Sequence, residues 1–299
     1  MTTYPASPAS VDWTPAALSV IDNIEANDVL GDCVIAEDAH YVAVETGNSG
    51  NGLYSYTRAQ TVSDYSAITG YNPADPSTDQ GTDPTVDLNY RVSKGYADGS
   101  KDYGWALVDA TNQAEVKYAI STFGNVKMWF GIPDSIDNNM PSASGFVWDV
   151  TAGAPNPSNG HAVGGYGYSP QGYTADGILI ATWGMLGLVT WAAAGAWFSS
   201  VASGGMAVRV TRNWINAQSG VSPTGVNVAA LVAAFDSYFG ASVPAPTPAT
   251  APVPTGPATL ANAQAWAASG INSGFLLMTK GQAVAAANAG LAANWPQGA

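Results

Sequence analysis

The chain has 299 residues, of which 46% are hydrophobic and only 10% are charged. This length allows one sizeable core and a smaller second part. Nine lysines and arginines stand against 22 aspartates and glutamates, a formal charge of −13 that repels phosphate backbones and anionic membrane surfaces. We therefore expect neither nucleic acid nor a membrane as a partner.

Targeting and redox features are sparse. No stretch reaches the roughly 20 apolar residues of a membrane span, and the first residues lack the basic start and apolar run of a secretory signal. We expect a chain without a secretion signal that is made in the cytoplasm. The single cysteine, Cys33, excludes an internal disulfide framework and a cluster of cysteine metal ligands. The sequence indicates no cofactor.

The first predicted element contains this cysteine. Apolar residues recur at helical spacing over residues 33–46, which predicts a helix. Asp32 stands where an N-cap residue belongs. Cys33 then lies in the first helical turn, where free backbone N–H groups and the positive end of the helix dipole favour a thiolate.

Helices dominate the next part of the chain and strands follow. A long turn-rich loop is expected over residues 72–84. The further predicted helices cover residues 55–69, 87–95 and 112–123, and the predicted strands cover residues 126–132, 161–168, 177–183 and 206–211. Helices first and an antiparallel sheet later indicate an α+β fold.

The last part differs in composition. We predict one domain over residues 1–215, followed at 216–242 by a segment with an amphipathic helix. Residues 243–257 are a Pro/Ala/Thr linker of the semi-rigid kind. Residues 258–299 are Ala-rich, with apolar patches, and are expected to form a helical tail module. Such patches would be exposed in a monomer, so we expect the tail to bind a protein partner or another copy of the chain.

A cysteine nucleophile needs a base, which folding usually supplies from a distant part of the chain. The sequence offers His40 and His161. His40 lies two helical turns beyond Cys33, roughly 10 Å along the axis, which favours a core role. His161 begins a glycine-rich predicted strand and is the better candidate.

The sequence around His161 matches a known pattern. It reads H-A-V-G-G-Y-G-Y over residues 161–168 and A-T-W-G over residues 181–184. This resembles the papain-like cysteine peptidases, whose histidine strand H-A-V-x-x-V-G-Y-G is followed by N-S-W-G. The resemblance covers roughly residues 12–213. It implies a papain-like fold, with a cysteine helix in a helical N-terminal part and an antiparallel sheet that carries the histidine.

The resemblance also implies roles for individual residues. Cys33 would attack an acyl carbon and His161 would take and return the proton. Asn27 lies six residues before Cys33, where the family has its glutamine, and would donate to the oxyanion. Trp183 corresponds to the tryptophan that shields the histidine from water.

One position departs from the family. Ala181 aligns with the asparagine that orients the histidine ring, so Thr182 or a backbone carbonyl would have to replace it.

A weaker motif is also present: Asp75, Asp79 and Asp83 alternate in a way that could bind calcium. The loop glycine falls one place late for an EF-hand, however, and an ordinary acidic loop is favoured.

Two functions remain open. The first is a cysteine hydrolase, a peptidase or an amidase. The motif G-D-C-V-x-A, with G-H-A-V and T-W-G, also resembles uncharacterised bacteriophage and prophage proteins, which implies a host cytoplasm and a viral context. The alternative is therefore a catalytically silent papain-fold structural protein of a virus particle, associated with a capsid or tail or decorating it, that docks through its C-terminal tail.

Overall fold

The computed structural model describes residues 3–199 and 204–239. The linker at 243–257 and the tail at 258–299 lie outside the described residues, so the predictions for them stay predictions. The helices of the described part are α1 (Leu18–Ile21), α2 (Cys33–Ser49), α3 (Arg58–Thr69), α4 (Pro84–Ser93), α5 (Gln113–Phe123), α6 (Asp134–Asp137), α7 (Trp191–Trp197) and α8 (Val228–Phe239).

One sheet gathers the strands of the described part. They are β1 (Val11–Asp12), β2 (Asp102–Leu107), β3 (Val126–Gly131), β4 (Phe146–Trp148), β5 (Gly160–Tyr168), β6 (Gly177–Thr182), β7 (Met185–Thr190) and β8 (Gly205–Thr211). The order is β2-β8-β3-β5-β6-β7-β4, and β1 pairs with β5. Neighbours run antiparallel, except that β4 runs parallel to β7.

The predicted α+β class is confirmed, because helices α1 to α4 precede every strand except β1, and the sheet is antiparallel in all but one pairing. Helix α2 begins at Cys33 as predicted and runs on to Ser49. Helix α4 begins earlier than predicted, since Pro84 occupies its first turn and Asp83 caps it. The elements that were not predicted are strands β1, β2, β4 and β7 and helices α1, α6 and α7.

Both faces of the sheet are covered. Alternate residues of a strand point to opposite faces, and on β6 Ala181 packs with Tyr41 and Val42 of α2. Its neighbour Ile180 belongs to the larger core on the other face, where α5 and α8 also pack. Each buried aliphatic side chain there stabilises the fold by roughly 1.5–3 kcal/mol. None of the described helices combines the length and apolarity needed to cross a bilayer.

A buried ion network fixes α2 and α4 against the sheet. Lys127 of β3 donates to Asp38 of α2 at 2.7 Å and to Asp87 of α4 at 2.6 Å. Arg91 bonds the same two carboxylates at 2.8 and 3.0 Å, while Arg209 of β8 bonds Glu37 at 2.6 Å. Because these side chains are almost wholly buried, breaking one pair would leave an uncompensated charge in the core.

Candidate active site

Cys33 and His161 line one cavity of about 560 Å³. Cys33 is the first residue of α2 and is half-buried. His161 lies near the start of β5 and is 8% exposed. Asn27 and Trp183 line the same cavity. The structure thus gathers four of the residues singled out from the sequence, which come from three separate parts of the chain.

The thiol of Cys33 faces the histidine strand. Cys33 packs with Ala162, the residue after His161. Desolvation raises the pKa of the thiol to about 11, and the charge of Asp32 adds to this rise. The backbone N–H groups of Ala162 and Val34 act in the opposite direction without cancelling it. The N–H of Val34 in the first helical turn favours the thiolate as expected, but burial outweighs it and the net shift of the Cys33 pKa is upward.

Asp32 does not cap α2 with its side chain, contrary to prediction. Its backbone carbonyl accepts from Ile35 and Ala36, while the carboxyl group is buried and neither oxygen has a hydrogen-bond partner of standard geometry. Burial raises its pKa to about 7, although the Asn27 amide lies close enough to lower it somewhat. A titrating carboxyl group thus lies directly beside the cysteine.

The ring of His161 is held on two sides. Its Nε2 atom lies 2.8 Å from Oγ1 of Thr182, and its face stacks on the indole of Trp183 with ring centroids 4.3 Å apart. Desolvation lowers the pKa of His161 to about 3. The imidazole is therefore neutral at physiological pH, as a general base must be before it accepts a proton.

The hairpin between β6 and β7 explains this placement. Trp183 and Gly184 both have positive φ angles, 49° and 71°, which is typical of a two-residue hairpin turn. The strand alternation directs Ala181 into the core with Tyr41 and Thr182 to His161. Thr182, which was offered from the sequence as a substitute for the missing asparagine, makes the contact.

Threonine constrains the ring less than asparagine would. A carbonyl oxygen only accepts, so it fixes a proton on Nε2 and leaves Nδ1 free to act as a base. A hydroxyl can donate or accept, so Thr182 permits either tautomer of His161. The ring position is thus set by Thr182 and Trp183, but its tautomer is not.

Asn27 lies in the cavity wall with part of its amide engaged. Its Nδ2 donates to the Leu30 carbonyl at 3.1 Å, which leaves one N–H for other acceptors. The same amide also acts on the Asp32 carboxyl, whose pKa it lowers. Among the hydrogen bonds of the described residues, none joins the Cys33 thiol to the His161 ring. Burial shifts both groups toward their neutral forms, since it raises the pKa of the thiol and lowers the pKa of the imidazole.

His40 and the acidic loop lie outside this chemistry. His40 is buried and contacts the Asn23 carbonyl at 2.8 Å. Asp75 and Asp83 bond the donors of Ser77 and Thr85, and Asp79 accepts from Gly31 and Tyr65. The structure does not bring the three carboxylates together, and no group of three or more metal-ligating side chains occurs within residues 3–199 and 204–239.

Sequence reasoning did not single out Asp137 of α6. This residue lines the cavity wall and accepts from Asn159 at 3.2 Å. Nothing in the sequence links Asp137 to His161, since the loop between them folds back only in three dimensions.

No family model matches the chain, and no curated protein matches it by sequence. Solved structures similar to it include the bromelain protease from Ananas comosus, with 14% identity, a TM-score of 0.46 and coverage of 68% of this chain and 99% of that one. Procathepsin L 3 of Tenebrio molitor has 14% identity, a TM-score of 0.49 and coverage of 70% and 72%. The Carica candamarcensis cysteine protease CMS1MS2 has 16% identity, a TM-score of 0.45 and coverage of 68% and 98%.

These likenesses are weak, and the description of the site rests on the chain's own elements. A cysteine begins a long buried helix, a histidine lies on the strand that this helix packs against, and an antiparallel hairpin supports the histidine ring. The site residues are carried by those elements.

Proposed function

We propose that the chain is a papain-like cysteine hydrolase, a peptidase or an amidase, with Cys33 as nucleophile and His161 as base. The observation that supports this most is the hydrogen bond between His161 and Thr182, together with the stacking of the Trp183 ring on the imidazole. That contact presents the ring in the cavity that Cys33 also lines. A merely structural histidine would not need an open cavity on its other side.

The proposed reaction begins from the neutral pair. As the Cys33 sulfur attacks the acyl carbon, its proton passes to Nδ1 of His161, and the C–S bond forms while the carbonyl π electrons move to oxygen. Asn27 and the Cys33 backbone N–H would stabilise that oxyanion. His161 then protonates the leaving amine as the C–N bond breaks. Water then attacks the acyl carbon of the thioester while His161 takes its proton. The C–S bond breaks, the carboxylic acid leaves, and His161 returns the proton to the Cys33 sulfur.

The raised thiol pKa supports a second candidate. A catalytically silent papain-fold protein would keep this architecture with an unactivated thiol, since reactive cysteines normally have lowered pKa values. In this alternative the chain is a component of a virus particle that docks through residues 258–299. The viral context rests on sequence resemblance and on the sparse charge of the chain.

Alkylation of Cys33 separates the two candidates. Because the chain has one cysteine, iodoacetamide labelling reports on this site alone. For a hydrolase we expect labelling at pH 7 to be faster than for a free thiol of the same pKa, and to fall in His161→Ala and not in His40→Ala. An unchanged rate in His161→Ala would reject the proposed pair. For the particle component, deletion of residues 243–299 should abolish incorporation into the assembly, and unchanged incorporation would reject the docking role.

A further inference from the structure

The charged side chains of the cavity wall are all acidic. Among the described residues that line it, the charged side chains are Asp83 and Asp137, both exposed, and there is no lysine or arginine. His161 adds no positive charge because burial lowers its pKa to about 3. A ligand in this cavity therefore meets the negative charges of Asp83 and Asp137 and no positive side chain of the wall.

Both carboxylates are held in place. Asp83 caps α4 and accepts from the backbone N–H and the hydroxyl of Thr85, each at 2.7 Å. These bonds lower its pKa, so it is ionised at neutral pH. Asp137 accepts from Asn159, two residues before His161. The first carboxylate stands on the helical side of the cavity and the second on the histidine side.

The groups behind the wall strengthen this bias. Asp79 bonds the backbone N–H of Gly31, and Asp134 accepts from Asn156 and Asn159. Lys127, a buried cation whose charge acts on Cys33, is paired with three carboxylates. The cavity also presents the rings of Trp129 and Trp183, and aromatic faces attract cations.

We propose that the cavity selects a cationic group, namely a lysine or arginine side chain of a peptide, held between Asp83 and Asp137. The peptide part of this statement rests on the proposed function. The charge preference itself does not require hydrolysis. Acidic peptides are excluded by the same two carboxylates.

Two methanethiosulfonate reagents of opposite charge test the preference at Cys33. The trimethylammonium-ethyl reagent carries a positive charge and the sulfonato-ethyl reagent a negative charge. We divide the ratio of their rates at Cys33 by the ratio of their rates with 2-mercaptoethanol. This corrected ratio does not depend on the thiolate fraction of Cys33 or on the intrinsic reactivity of the two reagents. At low salt we expect a corrected ratio above about 10, falling in Asp83→Asn and Asp137→Asn by roughly threefold to fivefold each, and approaching 1 at high salt.

Asp236→Asn is the matched control, because it removes the same charge from an exposed position on α8 that is not part of the cavity wall. A corrected ratio near 1 in the wild type would overturn the proposal. So would equal ratios in the Asp137→Asn and Asp236→Asn variants. Failure of the wild type to cleave any lysine or arginine peptide, with the reagent preference intact, would reject the proposed hydrolase function and leave the charge selectivity standing.

Discussion

Replacing Asp32 by asparagine should change both the stability of the fold and the reactivity of Cys33. The carboxyl group is buried without a hydrogen-bond partner of standard geometry, and burial raises its pKa from 3.8 to about 7. A raised pKa means that the folded state binds a proton which the unfolded chain has lost in this pH range. The stability of the wild type must therefore fall as the pH rises from about 4 to about 7.

The size of the effect follows from that interval. Each pH unit between the unfolded and folded pKa values contributes about 1.4 kcal/mol, so from pH 5 to pH 8 the wild type should lose roughly 3 kcal/mol through Asp32. Asp32→Asn should not show this loss, since its side chain does not ionise. The constant cost of burying the amide cancels when the two pH values are compared for the same variant.

Urea denaturation at pH 5 and pH 8 measures this difference. Asp28→Asn is the control, because Asp28 is an exposed carboxylate of the same loop that pairs with Arg58. Removing Asp32 should also lower the pKa of the Cys33 thiol, since the Asp32 charge contributes to raising it, and alkylation above pH 7 should become faster. If Asp32→Asn and the wild type lose the same stability between pH 5 and pH 8, Asp32 is ionised in the fold and this reasoning is wrong.

Three further predictions concern the histidine and the ion network. Thr182→Val should change the tautomer ratio of His161 in ¹⁵N NMR spectra and Thr182→Ser should not, because serine keeps the hydroxyl that bonds the ring; equal spectra for both variants would contradict this. The lowered pKa of His161 predicts no titration of its ring between pH 5 and 8, and a loss of stability as the pH falls from about 6.5 to about 3; a ring titrating near pH 6.5 would contradict the burial described. Lys127→Met should lower the free energy of unfolding, measured by urea denaturation, by roughly 3–5 kcal/mol. Arg58→Met, which breaks an exposed ion pair, should lower it by under about 1 kcal/mol. Similar losses in the two variants would contradict the burial of the network.

Much of the fold could be predicted because the decisive signals are local. Helix α2 begins at Cys33 because apolar periodicity begins there, and Gly50 ends it in a left-handed conformation. Strand β7 gave no such signal: it is buried along most of its length and its M-L-G-L-V-T sequence has no alternation. Helix α7, with the sequence W-A-A-A-G-A-W, is too short for a helical period to be recognised.

The site was predictable in its members but not in its electrostatics. The resemblance around His161 located both proposed reactive residues, and Thr182 was already a candidate for the ring contact. The pKa values depend on burial, which sequence does not measure, so the upward net shift of the Cys33 pKa could not be predicted although the first-turn N–H lowers it as expected. The buried ion network could not be predicted either, because its members are distant in sequence: Glu37 and Arg209 are 172 residues apart.

Acylation of Cys33 is the event that the proposed function requires, and intact-protein mass spectrometry detects it directly. When the chain is mixed with an activated ester of a lysine-containing peptide, we predict an acyl adduct on the wild type that forms and then decays. The adduct should be absent in Cys33→Ser and should form much more slowly in His161→Ala. Absence of any adduct on the wild type, or equal rates in the wild type and His161→Ala, would contradict the assignment of Cys33 and His161 as nucleophile and base.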